Sequence, residues 1–207
     1  MGLFLSMSGV VGASQADVAA ALRDYAAAHG GRFEQTTNRS ASWEVLIIGE
    51  ADGHVTVVYP GNFFKWDEAA AHLSRSLDVP VFSFHIHDED LWMYLLFVAG
   101  EVVDQFNPIP DYWDDSLSDE ERTQWAGNPA AIARWCPQVP ETAIRQYLVP
   151  WDLEDETPGK AYEDDESAYG DCWQLVDFMR KLRFSYPFTA DGQPVGDTYV
   201  FEVERRK

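Results

Sequence analysis

The stretch that decides the fold runs from Val81 to Phe106 and reads VFSFHIHDEDLWMYLLFVAGEVVDQF. Its three strand-like segments are Val81–His87, Leu91–Val98 and Glu101–Phe106, and they are separated only by three acidic residues and by an Ala-Gly pair. Connections this short cannot hold the crossover that parallel strands need, so the stretch predicts a three-stranded antiparallel meander. Leu91–Val98 is apolar at every position, which predicts a strand that is covered on both faces.

Further regular elements are predicted on both sides of the meander. Ser14 is a good N-cap, and Gly30-Gly31 is typical of a helix end, so the apolar residues between them predict an amphipathic helix. Turn residues Ala51-Asp52-Gly53 lie between two strand-like segments and predict a hairpin. The predicted elements are a first strand within residues 3–12, a helix over 14–29, a hairpin of strands 43–48 and 54–59, a helix over 66–77 and a last strand over 198–203.

The chain changes character after residue 107. Short helices are predicted from the capping box at Ser118, from Asn128-Pro129, over 140–148 and over 172–182, and residues 150–170 are acidic and rich in turn residues. We therefore predict a single α+β domain. Residues 1–107 form a mostly antiparallel sheet with two helices packed on one face, and residues 108–207 supply short helices, an acidic loop and the terminal strand.

Composition excludes several classes of function. The 207 residues include 35 Asp and Glu against 15 Lys and Arg, a formal net charge of −20. Such a charge argues against binding to nucleic acid, which needs Lys and Arg at the phosphates, and against binding to an anionic membrane surface.

The apolar N-terminus has no basic residue before Arg23, so it does not fit a secretory signal. With 11 Arg against 4 Lys and many alanines, we expect a bacterial, cytoplasmic protein.

The acidic residues concentrate in the middle of the chain. Residues 104–171 contain 17 acidic and 4 basic residues, whereas residues 172–207 contain 5 and 6. This acidic region follows Phe106–Trp113, in which two prolines impose an extended path on several aromatic residues. A solvated surface, with the aromatic rings packed over the sheet, is one interpretation. The other is a surface that docks a basic protein. Its candidate residues are Tyr112, Trp113, Asp114, Asp115, Asp119 and Glu120.

One compact cluster has the composition of a metal site. His85 and His87 alternate along a strand and therefore point to the same face, about 7 Å apart. Asp88 or Asp90 in the following turn would complete a set of two histidines and a carboxylate that suits a divalent metal. The same acidic residues are also typical of a tight hairpin turn, and paired strand histidines often only line a half-buried face. Both interpretations stay open.

Three functional hypotheses follow. The first is a non-enzymatic interaction protein, of the inhibitor or immunity type, that binds a basic protein and needs no cofactor. The second is a metal-dependent hydrolase that uses His85, His87 and Asp88. The third is a small-molecule binding domain with a pocket between sheet and helices. We favour the first, because the sequence has no G-x-S-x-G nucleophile elbow and no glycine-rich phosphate loop.

Overall fold

The protein is built on one eight-stranded antiparallel sheet. The computed structural model describes residues 2–37 and 43–203, and it confirms the α+β class. The strands are β1 Leu5–Val11, β2 Arg32–Thr36, β3 Leu46–Ala51, β4 His54–Val58, β5 Val81–His87, β6 Leu91–Val98, β7 Glu101–Phe106 and β8 Asp197–Glu202. Their order across the sheet is β2-β8-β3-β4-β1-β5-β6-β7. The first strand therefore lies in the middle of the sheet, between β4 and β5.

Two of the five described helices cover one face of this sheet. The helices are α1 Gln15–Ala28, α2 Trp66–Leu77, α3 Asp119–Gln124, α4 Pro129–Trp135 and α5 Gln174–Lys181. Buried residues of α1 and α2, such as Leu22 and Leu73, form a cluster with Val57 and Val81 of the sheet. The Ser14 hydroxyl accepts a hydrogen bond from the Asp17 amide, as its N-cap role predicts.

The C-terminal half of the chain covers the opposite face. Tyr147 and Phe178 are fully buried there in one cluster with Trp92 and Tyr94 of β6. Because β6 has packed residues on both sides, its continuous apolar sequence is explained. A Cβ atom on Gly9 of β1 would lie within 3 Å of the Phe184 ring, so glycine at this position allows the C-terminal half to approach the sheet closely.

The structure differs from the sequence-based prediction in three places. Strand β2 was not predicted, because it lies at a sheet edge and pairs with the distant β8. The predicted strand 43–48 begins only at Leu46, since Trp43 and Glu44 form a turn. Residues 140–148 form a single 3-10 turn at Glu141–Ala143 followed by further turns, rather than a full helix. Across the ranges that the structure describes, no helix has the length and apolar character to cross a membrane.

Candidate functional site

His85 is buried at the end of β5 that lies beside the start of β1. Its ring stacks on the Trp66 indole with centroids 4.6 Å apart, and its Nδ1 is hydrogen-bonded to the Ser6 hydroxyl at 2.9 Å. Burial, together with the nearby His87, lowers the pKa of His85 from 6.5 to about 4. The imidazole is therefore neutral at neutral pH.

His87 points to the same side of the sheet but lies among aromatic side chains near the surface. The His85 and His87 ring centroids are 5.7 Å apart, and both residues line one cavity. The His87 ring makes edge contacts with Phe4 at 4.9 Å, with Trp113 at 5.0 Å and with Tyr112 at 5.6 Å. The histidine pair thus joins the sheet to the aromatic segment that follows β7.

The carboxylates of the β5–β6 turn have other partners. Asp88 and Glu89 adopt positive φ angles of 52° and 65°, as a tight hairpin turn requires. The Asp88 carboxylate accepts a hydrogen bond from the Gly2 amide at 2.9 Å, and the Asp90 carboxylate accepts one from the Tyr112 hydroxyl. Within residues 2–37 and 43–203, no group of three or more His, Cys, Asp or Glu side chains is arranged to hold a metal ion. The metal site stays a prediction without a third ligand.

Ser6, which was not among the predicted site residues, is hydrogen-bonded to His85 as a serine nucleophile is to its histidine base. A serine nucleophile needs a histidine that can take its proton and a third group that orients the histidine. A pKa of about 4 makes His85 a weak base, and Asp88 and Asp90 are bonded elsewhere. Asp88 and Asp90 thus do not orient His85 as the carboxylate of a Ser-His-Asp triad does.

The six residues of the predicted interaction surface are all exposed. Trp113 exposes 54% and Tyr112 36% of its surface, whereas Phe106 at the start of the same segment is buried. The Asp114 carboxylate accepts hydrogen bonds from Ser116, while Asp115 follows it at the surface. Asp119 and Glu120 occupy the first turn of α3, where negatively charged side chains interact favourably with the helix dipole.

The fold brings the histidine pair together with the aromatic residues that follow β7, although the two groups are separate in the sequence. Tyr112 and Trp113 contact His87, and Tyr112 also binds Asp90. Sequence spacing could not show this contact, because it depends on how the chain after β7 returns across the end of β5. The histidine pair and the start of the predicted acidic surface are therefore in direct contact.

Further aromatic residues extend this site beyond the predicted set. A cavity of about 410 Å³ and another of about 230 Å³ share Phe4 and Gly61 in their walls. Trp43 and Trp173 line the larger cavity, and Phe64 and His87 line the smaller. We use the name aromatic face for the ring-bearing residues of these cavity walls named above, together with the two residues after β7 that contact His87. Its members are Phe4, Trp43, Phe64, His87, Tyr112, Trp113 and Trp173.

The sequence contained only weak signals for the additional members. Trp43 exposes 75% of its surface and Phe64 70%, and both lie in short connections rather than in strands or helices. A large apolar residue in a turn is a signal of this kind, but it does not show which turns lie side by side. The sequence matches no known family model, no curated protein and no solved structure, so functional inference rests on the site itself.

Proposed function

We propose that this protein is a non-enzymatic interaction protein of the inhibitor or immunity type, which binds a basic protein partner through the aromatic face and its acidic border. The observation that carries this proposal is the convergence of exposed aromatic side chains around two adjoining cavities, next to the carboxylates of the β5–β6 turn and of the segment after Trp113.

The exposed rings supply the apolar part of the interaction. Phe4, Trp43, Phe64 and Trp113 each expose between 47% and 75% of their surface. Clustered exposed aromatic residues are typical of binding surfaces, and Trp and Tyr carry much of the binding energy at interfaces. The two adjoining cavities offer space for anchoring side chains of the partner. These features favour a protein partner over a purely electrostatic contact.

The charge around the aromatic face supplies the preference for a basic partner. Between Arg75 and Arg122 the chain contains no lysine or arginine. The exposed carboxylates of Glu89, Asp114 and Asp115 come from this part of the chain and are not offset by a basic residue within it. Opposite charges across an interface accelerate association and exclude wrong partners, and the effect weakens with salt.

Capture of a partner from native lysate, at low and high salt, tests the proposal. We expect a basic protein to be retained at low salt and released at high salt. Neutralising four exposed carboxylates that follow Trp113 in the chain, through Asp114→Asn, Asp115→Asn, Asp119→Asn and Glu120→Gln, should abolish capture. The matched control removes four charges from the exposed loop instead, through Asp152→Asn, Glu154→Gln, Asp155→Asn and Glu156→Gln, and should retain the partner.

The apolar contribution is tested by Trp113→Ala with the partner so identified. Loss of a hot-spot tryptophan typically costs about 2 kcal/mol or more, which corresponds to about thirtyfold weaker binding. Val102→Ala, at an exposed apolar residue on β7, is the control and should leave the affinity unchanged. Equal capture by the two neutralised variants, or no basic protein retained at either salt concentration, would contradict the proposal.

A further inference from the structure

A third cavity lies under the segment that follows β7, and it shares no lining residue with the two cavities of the aromatic face. We call it the strap cavity. It has a volume of about 420 Å³ and is lined from residues 106–111, 122–126 and 150–153. The backbone N–H of Asn107 donates to the Trp125 carbonyl at 3.0 Å, and the backbone N–H of Trp151 donates to the Pro108 carbonyl at 3.1 Å. Because backbone hydrogen bonds join all three walls, the cavity is formed without a ligand.

Two nitrogen donors in these walls, Asn107 Nδ2 and Trp151 Nε1, have no acceptor among the described residues. Their residues are only 3% and 8% exposed. Arg122 Nε also lacks a hydrogen bond, but the Asp111 carboxylate lies 3.6 Å from it and the Arg122 side chain is 38% exposed. The Asn107 Oδ1 atom accepts from the Ile109 amide at 2.9 Å, which fixes the Nδ2 group as the unused donor. Each unsatisfied buried donor costs about 1–3 kcal/mol, so the two donors of Asn107 and Trp151 in one cavity point to an acceptor that binds there.

The surroundings of these donors define the chemistry of that acceptor. An anion is disfavoured, because residues 104–171 contain 17 acidic and only 4 basic residues and Asp111 Oδ2 lies 3.6 Å from Arg122 Nε. The cavity walls are largely apolar, because they include Phe106, Trp125 and the two prolines of the segment that follows β7. A neutral carbonyl compound with an apolar body fits both conditions. Tertiary amides meet them well, since they carry an acceptor and no N–H donor.

We propose that the strap cavity binds a neutral tertiary amide, the group that successive prolines present in an extended peptide, with its carbonyl oxygens accepting from Trp151 and Asn107. Aromatic-lined grooves bind proline-rich peptides in this way, at low entropic cost. Since the donor nitrogens are shielded in the free protein, binding includes a small adjustment of side chains at the cavity wall. The site is independent of the function proposed for the aromatic face.

Nuclear magnetic resonance of the tryptophan indole N–H groups tests this site directly. The probes are acetylated and amidated tetraproline, as the peptide source of the amide, and N-acetylpyrrolidine, as the small-molecule source. Acetylated and amidated tetraglycine and sodium acetate are the comparison ligands. The Trp151 indole signal is assigned by its absence in Trp151→Phe, and it should move on titration with either tertiary amide.

The same variant measures the contribution of the indole donor. Trp151→Phe keeps an aromatic wall but removes the N–H, so we expect binding about threefold to tenfold weaker. Trp135→Phe, outside the cavity walls, should bind as the unaltered protein does. Tighter binding of tetraproline identifies a peptide ligand, and equal or tighter binding of N-acetylpyrrolidine identifies a small amide. An unmoved Trp151 signal, undiminished binding by Trp151→Phe, or equal binding of tetraglycine or acetate would overturn the proposal.

Discussion

His85 shows how one buried side chain responds to its surroundings. Its pKa is lowered from 6.5 to about 4, first by burial and then by the neighbouring His87. Between these two values the unfolded chain binds a proton that the folded protein excludes. The contribution of His85 to the free energy of unfolding is therefore complete above pH 6.5. It decreases by about 3 kcal/mol as the pH falls to 4.

We expect an NMR titration to place the His85 midpoint near pH 4, with the signal assigned by its absence in His85→Gln. The pH dependence of unfolding in urea should be shallower in this variant between pH 6.5 and 4. Burial lowers the pKa of His54 and His72 as well, so some dependence should remain in the variant. A midpoint near 6.5, or the same slope in both proteins, would contradict the burial of a neutral imidazole.

At the scale of elements, helix α5 binds the acidic loop through several side chains, of which Asp177 is the one that accepts from the loop backbone. The Asp177 carboxylate is almost fully buried and accepts hydrogen bonds from the Glu166 and Ser167 amides and from Arg180. Asp177→Ala would remove the acceptor of the Glu166 and Ser167 amides, so we expect the free energy of unfolding to fall by about 3 kcal/mol. Urea denaturation followed by circular dichroism measures this change.

Asp164→Ala is the matched control for that experiment. The loop residue Asp164 forms an ion pair with Lys181 of α5, with Oδ1 and Nζ 2.6 Å apart, but the Asp164 side chain is 70% exposed. An exposed pair of this kind contributes little to stability, so Asp164→Ala should lower the free energy of unfolding far less than Asp177→Ala does. Equal destabilisation by the two substitutions would mean that Asp177 does not anchor the loop. In the sequence, Asp164 stands in an acidic stretch and Asp177 stands between Val176 and Phe178, but neither context shows that Asp177 accepts from the Glu166 and Ser167 amides.

At the scale of the whole molecule, the net charge of −20 opposes the compact state. Salt screens this repulsion, so we expect the Tm at pH 7 to rise when NaCl is increased from a few millimolar to about 0.15 M, where the Debye length is about 8 Å. Differential scanning calorimetry measures the shift. Close to the isoelectric point of about 4.4 the same salt step should have a much smaller effect. A Tm at pH 7 that stays constant or falls with salt would show that local ion pairs outweigh the net repulsion.

Local patterns in the sequence account for most, but not all, of the helices and strands of this protein. The bounds of α2 and of the three meander strands agree with the prediction, because each depends on apolar spacing within a few residues and on turn residues beside it. Only the folded chain brings His87 into contact with Trp113, pairs β2 with β8 and places the unpartnered donors of Asn107 and Trp151 in the walls of one cavity. These contacts join residues far apart in the chain, and their stability comes from packing and burial in the folded molecule, which no local pattern records.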